Sequence, residues 1–304
     1  MSPDDERFVY DEFAFFHENL GEYGIELDAP PVVERIVLSA VDPSLPHMSA
    51  LRWGTGEPEV VLLHGGAQNA HTWDTVLLAL GRPALAIDLP GHGRSGHRAD
   101  GLYDARTSAG SVAPVIVSIV TRPVLLVGMS LGGLTANAVA AAHPELIDRM
   151  VAVDITPGVN ADKAREVHDF IAGPQSFASF EEILARTVQF NPTRSIASLR
   201  RGILHNAHRM PDGSWEWNYD RRQLSGVAMP SMGDLWDDVA AIAAPYLLAK
   251  GGLSPVVDHD DIAELRRRAI HARVIEVPDA GHSIQGDQPL RLSEILRDEL
   301  SAVG

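Results

Sequence analysis

The sequence predicts an α/β fold: a mostly parallel, doubly wound sheet of about eight strands, carrying a mostly helical insertion. Three observations lead there. Strand-like runs recur at 32–39, 48–53, 59–63, 83–87, 124–127, 149–153, 246–250 and 273–277, and from the third onward they alternate with helix-forming stretches, the pattern of βαβ units. The runs at 59–63 and 124–127 consist almost wholly of Val and Leu, as central strands covered on both faces do. From 158 to 233 the alternation lapses into amphipathic, turn-broken sequence. The 304 residues are therefore read as one core, 1–157 and 234–304, interrupted by a cap at 158–233.

Each element follows from local pattern. Phe8, Val9, Phe13, Phe16 and Leu20 have helical spacing and predict an N-terminal arm docked on the body. Pro43 and Pro46 punctuate the loop between the first two strands. The third strand ends in His64-Gly65-Gly66, where glycines let the backbone approach a ligand, and a helix is expected from about Thr72. After 83–87 comes Asp88-Leu89-Pro90-Gly91-His92-Gly93-Arg94-Ser95, a loop of turn formers in which His92 reads as structural rather than as a base. Residues 105–120 predict a helix whose continuity Pro114 weakens. In the insertion, 167–171, 180–188 and 196–204 have helical patterns. Pro211-Asp212-Gly213-Ser214 is a turn, and Trp215, Trp217 and Tyr219 share one face of an extended segment, either as packing or as the wall of an acyl pocket. Arg200, Arg201, His205 and His208 are expected in solvent, with contact to an acidic substrate as the alternative. Helices are expected again at 262–269 and from about 289 to 300.

The chemistry centres on Gly128-Met129-Ser130-Leu131-Gly132, between a strand and an alanine-rich helix. This G-x-S-x-G arrangement turns the chain sharply, lifts the Ser130 hydroxyl above the sheet edge and places the Leu131 amide at the positive end of a helix. There it can meet an oxyanion, with the Gly66 amide as second donor and His64 and Gly65 shaping the supporting loop. A serine hydroxyl needs a base, and the base needs an orienting group. His282, one of 13 histidines, sits in the turn Gly281-His282-Ser283 after the last strand, downstream of Ser130. Asp154 ends the strand at 149–153, at the sheet edge where ligands gather; on local pattern alone a turn former ahead of Pro157 is the better reading.

Taken together, His64-Gly65-Gly66 with Trp73, the loop from Asp88 to Ser95, the Ser130 elbow and Gly281-His282-Ser283 resemble the α/β-hydrolase superfamily over nearly the whole chain. The stretches from His64 to Thr75 and from Gly128 to Thr135, with Arg200-Arg201-Gly202 and the segment from Trp215 to Asp220, are similar to mycobacterial serine esterases of this fold. The resemblance implies hydrolysis of short-chain carboxylic esters through an acyl-serine intermediate, with no cofactor and no metal. One departure concerns the acid. The superfamily usually places it after the strand at 246–250, where this chain reads Gly251-Gly252-Leu253-Ser254-Pro255. Some members carry it one strand earlier, which assigns the orienting role to Asp154 and leaves Asp258 in reserve. Asp261 followed by Glu264 looks like a helix capping box. Cleavage of a carbon–carbon bond and a hydrolase-like ligand sensor use the same scaffold and stay open at this stage.

Composition narrows the partners. With 41 acidic against 25 basic residues the formal charge is −16, which repels nucleic acid and anionic lipid. There is no cysteine, hence no disulfide and no thiolate nucleophile. The start, Met1 to Arg7, lacks the pattern of a signal peptide, and no apolar run reaches the ~20 residues of a membrane span. The expectation is a cytoplasmic protein acting on a small ester, without nucleic-acid or integral-membrane association.

Overall fold

The computed structural model describes residues 9–40, 42–220 and 234–302. Phe8 and the segment 221–233, both part of the expectations above, lie outside the described residues. The chain opens with α1 (Phe16–Tyr23), β1 (Val33–Leu38), β2 (Met48–Trp53), β3 (Val60–Leu63), α2 (Asp74–Leu80) and β4 (Ala84–Asp88). It continues through α3 (Ala105–Ile119), β5 (Val124–Met129), α4 (Leu131–Ala142) and β6 (Ile147–Val153). Next come α5 (Arg165–Ile171), β7 (Ser176–Phe177), α6 (Phe180–Phe190), α7 (Ile196–Asn206), β8 (Ala207–Arg209) and β9 (Trp215–Trp217). The chain closes with α8 (Leu235–Ala241), β10 (Tyr246–Gly251), α9 (His259–Arg268), β11 (Arg273–Val277), α10 (Ile284–Asp287) and α11 (Pro289–Ser301).

Eight strands form one sheet in the order β1-β2-β4-β3-β5-β6-β10-β11. Only β2 runs against its neighbours β1 and β4; the remaining pairs are parallel. All eight runs read from the sequence are strands of this sheet. The two-residue period divides their side chains between two layers. Val61 and Leu63 of β3 pack with Val112 of α3, Val139 of α4 and Val239 of α8, while Val60 and Leu62 pack with Phe16 of α1, Val76 of α2 and Ile295 of α11. Each such Val or Leu, withdrawn fully from water, stabilises the fold by about 1.5–3 kcal/mol before entropy is counted. The sheet is thereby fixed, and its C-terminal edge carries the loops described below.

Three expectations about the helices of the core need correction. The N-terminal helix begins at Phe16; the residues before it form turns, although Phe15 and Phe16 are buried as a docked arm requires. Helix α3 runs unbroken through Pro114, because Asp104 caps it by accepting from the Arg106 and Thr107 amides and Val112, Val115 and Ile116 hold it to the core. The capping box lies one turn earlier than expected: Asp258 is the N-cap of α9, and its partner is Asp261.

Among the described residues the segment after β6 contains three helices and a small antiparallel sheet, β7-β9-β8; the expected mostly helical insertion thus includes strands, of which the sequence pattern shows only the extended run at Trp215. Trp215, Trp217 and Tyr219 are buried in a third apolar cluster with Phe177, Phe180 and Phe15, so they pack the insertion, and Trp217 also lines a cavity beside Ala67 and Phe170. Arg201 and His205 are buried rather than solvated: Arg201 pairs with Glu18 and Glu22 on α1, and His205 stacks on His71. Arg200 is partly buried against Glu18, whereas His208 is exposed and bonded to Asn218.

Candidate active site

Ser130 stands between β5 and α4 with φ 52° and ψ −122°, a conformation unfavourable for any residue with a side chain. Its glycine neighbours make the turn possible. A Cβ on Gly128 would lie 2.3 Å from the Gly132 carbonyl oxygen, and one on Gly132 would lie 2.3 Å from that of Leu63. Gly65 is equally constrained, since a Cβ there would come 2.5 Å from Met129 Sδ and 3.2 Å from Ser130 Cβ. The loop after β3 is thus pressed against the elbow.

Two backbone amides adjoin this junction, those of Gly66 and Leu131. Leu131 is the first residue of α4, so its N–H has no intrahelical acceptor. Among the described residues neither it nor the Gly66 amide donates a hydrogen bond. The next amide, of Ala67, is engaged: it donates to His92 Nε2 over 3.1 Å. An amide can only donate, so His92 is neutral with its proton on Nδ1, which bonds the Pro90 carbonyl at 2.9 Å. His64 is built the same way, accepting from the Leu89 amide at Nε2 over 2.9 Å and bonding the Gly65 carbonyl through Nδ1 at 2.7 Å. Burial, with His92 adding to it, pushes the His64 pKa down to about 3. The two histidines clamp the loop after β3 to the loop after β4. Neither is a base.

Asp154 follows β6 with φ 49°. Its carboxylate is fully buried and accepts three hydrogen bonds: Gly251 N–H to Oδ1 at 2.8 Å, Ser254 Oγ–H to Oδ2 at 2.5 Å, and His282 Nδ1–H to the same Oδ2 at 2.8 Å. A carboxylate offers only lone pairs, so the ring proton sits on Nδ1 and Nε2 is left as the basic nitrogen. Asp258 is elsewhere. It caps α9 and binds Lys163 Nζ at 2.8 Å, and Lys163 together with the Asp261 amide holds its carboxyl below the usual range. The reserve position for the acid is therefore not brought to His282.

Ser130 and His282 line one cavity of about 200 Å³. Gly65, Gly66 and Met129 belong to its wall, and α5 covers it with Val167, Phe170 and Ile171. Ile171 Cδ1 would stand 3.6 Å from a Cβ on Gly66, so this helix sits directly over the donor loop. Among the described residues the Ser130 hydroxyl has no hydrogen-bond partner, and it shares the cavity wall with His282. Ser254 and Lys163 were missed as site neighbours by sequence reasoning. Ser254 carried a usable signal, because it occupies the turn in which an acid was expected.

A second polar cluster lies apart from Ser130. His71, Asp74 and His205 bring their ligand atoms within 4.8 Å of one another. The two imidazoles, however, are stacked at 3.9 Å with planes inclined by 8°. Their in-plane lone pairs then run side by side and do not converge on one ion, so the arrangement is a stacked clasp between the chain near α2 and α7, with His71 hydrogen-bonded to Asp74 on the α2 side.

A sequence model of the alpha/beta hydrolase family matches residues 60–295. The chain is 44% identical over 307 residues to esterase Rv0045c of Mycobacterium tuberculosis, covering 99% of each chain. A crystal structure of that esterase superposes with a TM-score of 0.86 at 43% identity, covering 97% of this chain and 100% of the other. A more distant relative is the sn-1-specific diacylglycerol lipase ABHD11 of Xenopus laevis, 28% identical over 242 residues and 76% of each chain. With the eight-stranded sheet, the strained serine elbow and these matches in hand, the chain belongs to the alpha/beta hydrolase family.

Proposed function

We propose that this protein hydrolyses carboxylic esters with short acyl chains through an acyl-serine intermediate, with Ser130 as nucleophile, His282 as base and Asp154 as its orienting acid. The observation that carries the reading is the Asp154–His282 hydrogen bond of 2.8 Å at the wall of the cavity that Ser130 also lines. Relatives named as an esterase, a diacylglycerol lipase and a pimeloyl-[acyl-carrier protein] methyl ester esterase support an ester as substrate. The cavity of about 200 Å³ falls below the ~300–1,000 Å³ usual for drug-sized ligands, which supports a small acyl group.

In this mechanism His282 Nε2 takes the Ser130 proton as Oγ attacks the carbonyl carbon. The negative charge moves to the carbonyl oxygen, where the Gly66 and Leu131 amides stabilise it; losing one such donor costs about 2.7–4 kcal/mol. The imidazolium then protonates the leaving alcohol, and the ring activates water to release the acid and restore Ser130. Residues 158–233 act as a cap whose helix α5 roofs the cavity. Turnover of p-nitrophenyl acyl esters of increasing chain length, by wild type and Ser130→Ala, tests the reading. Expected are a preference for the shortest chains and loss of activity in a folded variant. An active Ser130→Ala enzyme removes Ser130 from its role.

A further inference from the structure

We infer that Ser254 is a positioning residue for the proposed acid–base pair, holding the Asp154 carboxylate in line with His282. The inference rests on the ester-hydrolase reading and adds a residue to it. Ser254 is buried, and its Oγ is bound on two sides. The Val256 amide donates to it over 3.2 Å, which uses a lone pair, and Asp154 Oδ2 lies 2.5 Å away. Neither an amide nor a carboxylate can accept and donate alike here: the amide must give its hydrogen and the carboxylate must receive one. The hydroxyl proton therefore points at Asp154.

The same short turn grips the other carboxylate oxygen. Gly251 N–H donates to Oδ1 at 2.8 Å, and the Ser254 amide donates to the Gly251 carbonyl at 3.2 Å, closing the turn on itself. Residues 251 and 254 thus fix both oxygens of a side chain whose own backbone sits in the left-handed region. Without the hydroxyl, Oδ2 keeps only the His282 bond, and the carboxylate gains freedom to swing about its Cβ–Cγ bond. The imidazole would then share that freedom, since Asp154 is the one hydrogen-bond partner of its Nδ1 among the described residues.

The geometry also explains why an alcohol stands at a place where an acid was expected. A carboxylate at 254 would face a second, fully buried carboxylate with no cation between them, whereas a hydroxyl supplies the donor that Asp154 needs.

The test uses the full chain with p-nitrophenyl acetate, measuring kcat and KM separately, and thermal melting as a folding control. Ser254→Ala is expected to lower kcat about tenfold while KM stays within about twofold, the outcome for a lost charge-assisted hydrogen bond that matters most once the ring is protonated. Ser254→Thr keeps the hydroxyl and is expected to recover most of the lost kcat. A kcat for Ser254→Ala within about twofold of wild type overturns the role, as does a Thr variant as slow as the Ala variant at equal melting temperature. Folded wild-type protein that does not turn over the ester overturns the hydrolase reading itself, and this role with it.

Discussion

His282 Nδ1 lies 2.8 Å from Asp154 Oδ2 across 128 positions of sequence, joining the turn after β11 to the end of β6. The bond fixes which ring nitrogen is left free, so changing the acid changes the tautomer. Asp154→Asn preserves size and tolerates the left-handed backbone, but its amide cannot replace the carboxylate toward Nδ1–H without flipping the ring or losing charge. It is expected to lower kcat by roughly 10²–10⁴. Asp258→Asn keeps a competent N-cap and leaves His282 untouched, so kcat is expected to stay within a few-fold. Steady-state kinetics on the two purified variants checks the ranking, and the reverse order transfers the acid role to Asp258.

Gly132 and Gly21 make a matched pair for the elbow. A methyl group on Gly132 would be driven to 2.3 Å from the Leu63 carbonyl oxygen and 2.4 Å from that of His64, both backbone atoms that cannot yield. Gly132→Ala is expected to separate the elbow from the loop after β3, with loss of esterase activity and a melting temperature many degrees lower. Gly21 is exposed in α1, its φ is not left-handed, and a methyl group added there would meet nothing within 4 Å. Gly21→Ala is expected to raise stability by about 0.5–1 kcal/mol through helix propensity, with activity unchanged. Denaturant unfolding and ester turnover of both variants decide the matter.

The central strands are legible in the sequence because a strand covered on both faces must be apolar throughout, as the Val60–Leu63 run is. The serine turn is legible because the clashes at Gly128 and Gly132 demand glycine at fixed offsets. The strands β7, β8 and β9, only two or three residues long, are too short for a period-2 pattern to register, and only the alternation of Trp215 with Trp217 hints at them. Burial of Arg201 and His205 is decided by distant groups: Glu22 is 179 positions from Arg201, and His71 belongs to another element altogether. No local window contains that information. Nor could one reveal that Asp258 caps α9 while Ser254 points at Asp154, since a turn's hydrogen bonds depend on what the rest of the sheet places beside it.

The His71–His205 stack makes stability depend on pH from both sides. For His71, burial alone favours the neutral ring, but Asp74 at 2.9 Å and Glu12 at 3.4 Å outweigh it and hold the pKa at about 9. A pKa raised from 6.5 stabilises the fold fully below pH ~6.5, and this contribution is lost as pH rises through about 9. His205 has the opposite sign. Burial first, then the charge on His71, force its pKa well below 6.5, so its contribution is present above pH ~6.5 and lost as pH falls below that value. Glu12, held at about 2 by His71 and Arg35 against the pull of burial, joins the acid-side loss only below pH ~4.5. Melting temperature is therefore expected to peak near neutrality and to decline toward pH 10 and toward pH 5. His71→Gln should flatten the alkaline limb, and His205→Gln the limb between pH 6.5 and 5. Curves that stay parallel to wild type in both variants would place the pH dependence elsewhere in the molecule. If the limbs respond separately as expected, the stack that ties α7 to the chain beside α2 carries one positive charge at neutral pH, held on His71 by Asp74 and Glu12 while His205 stays neutral.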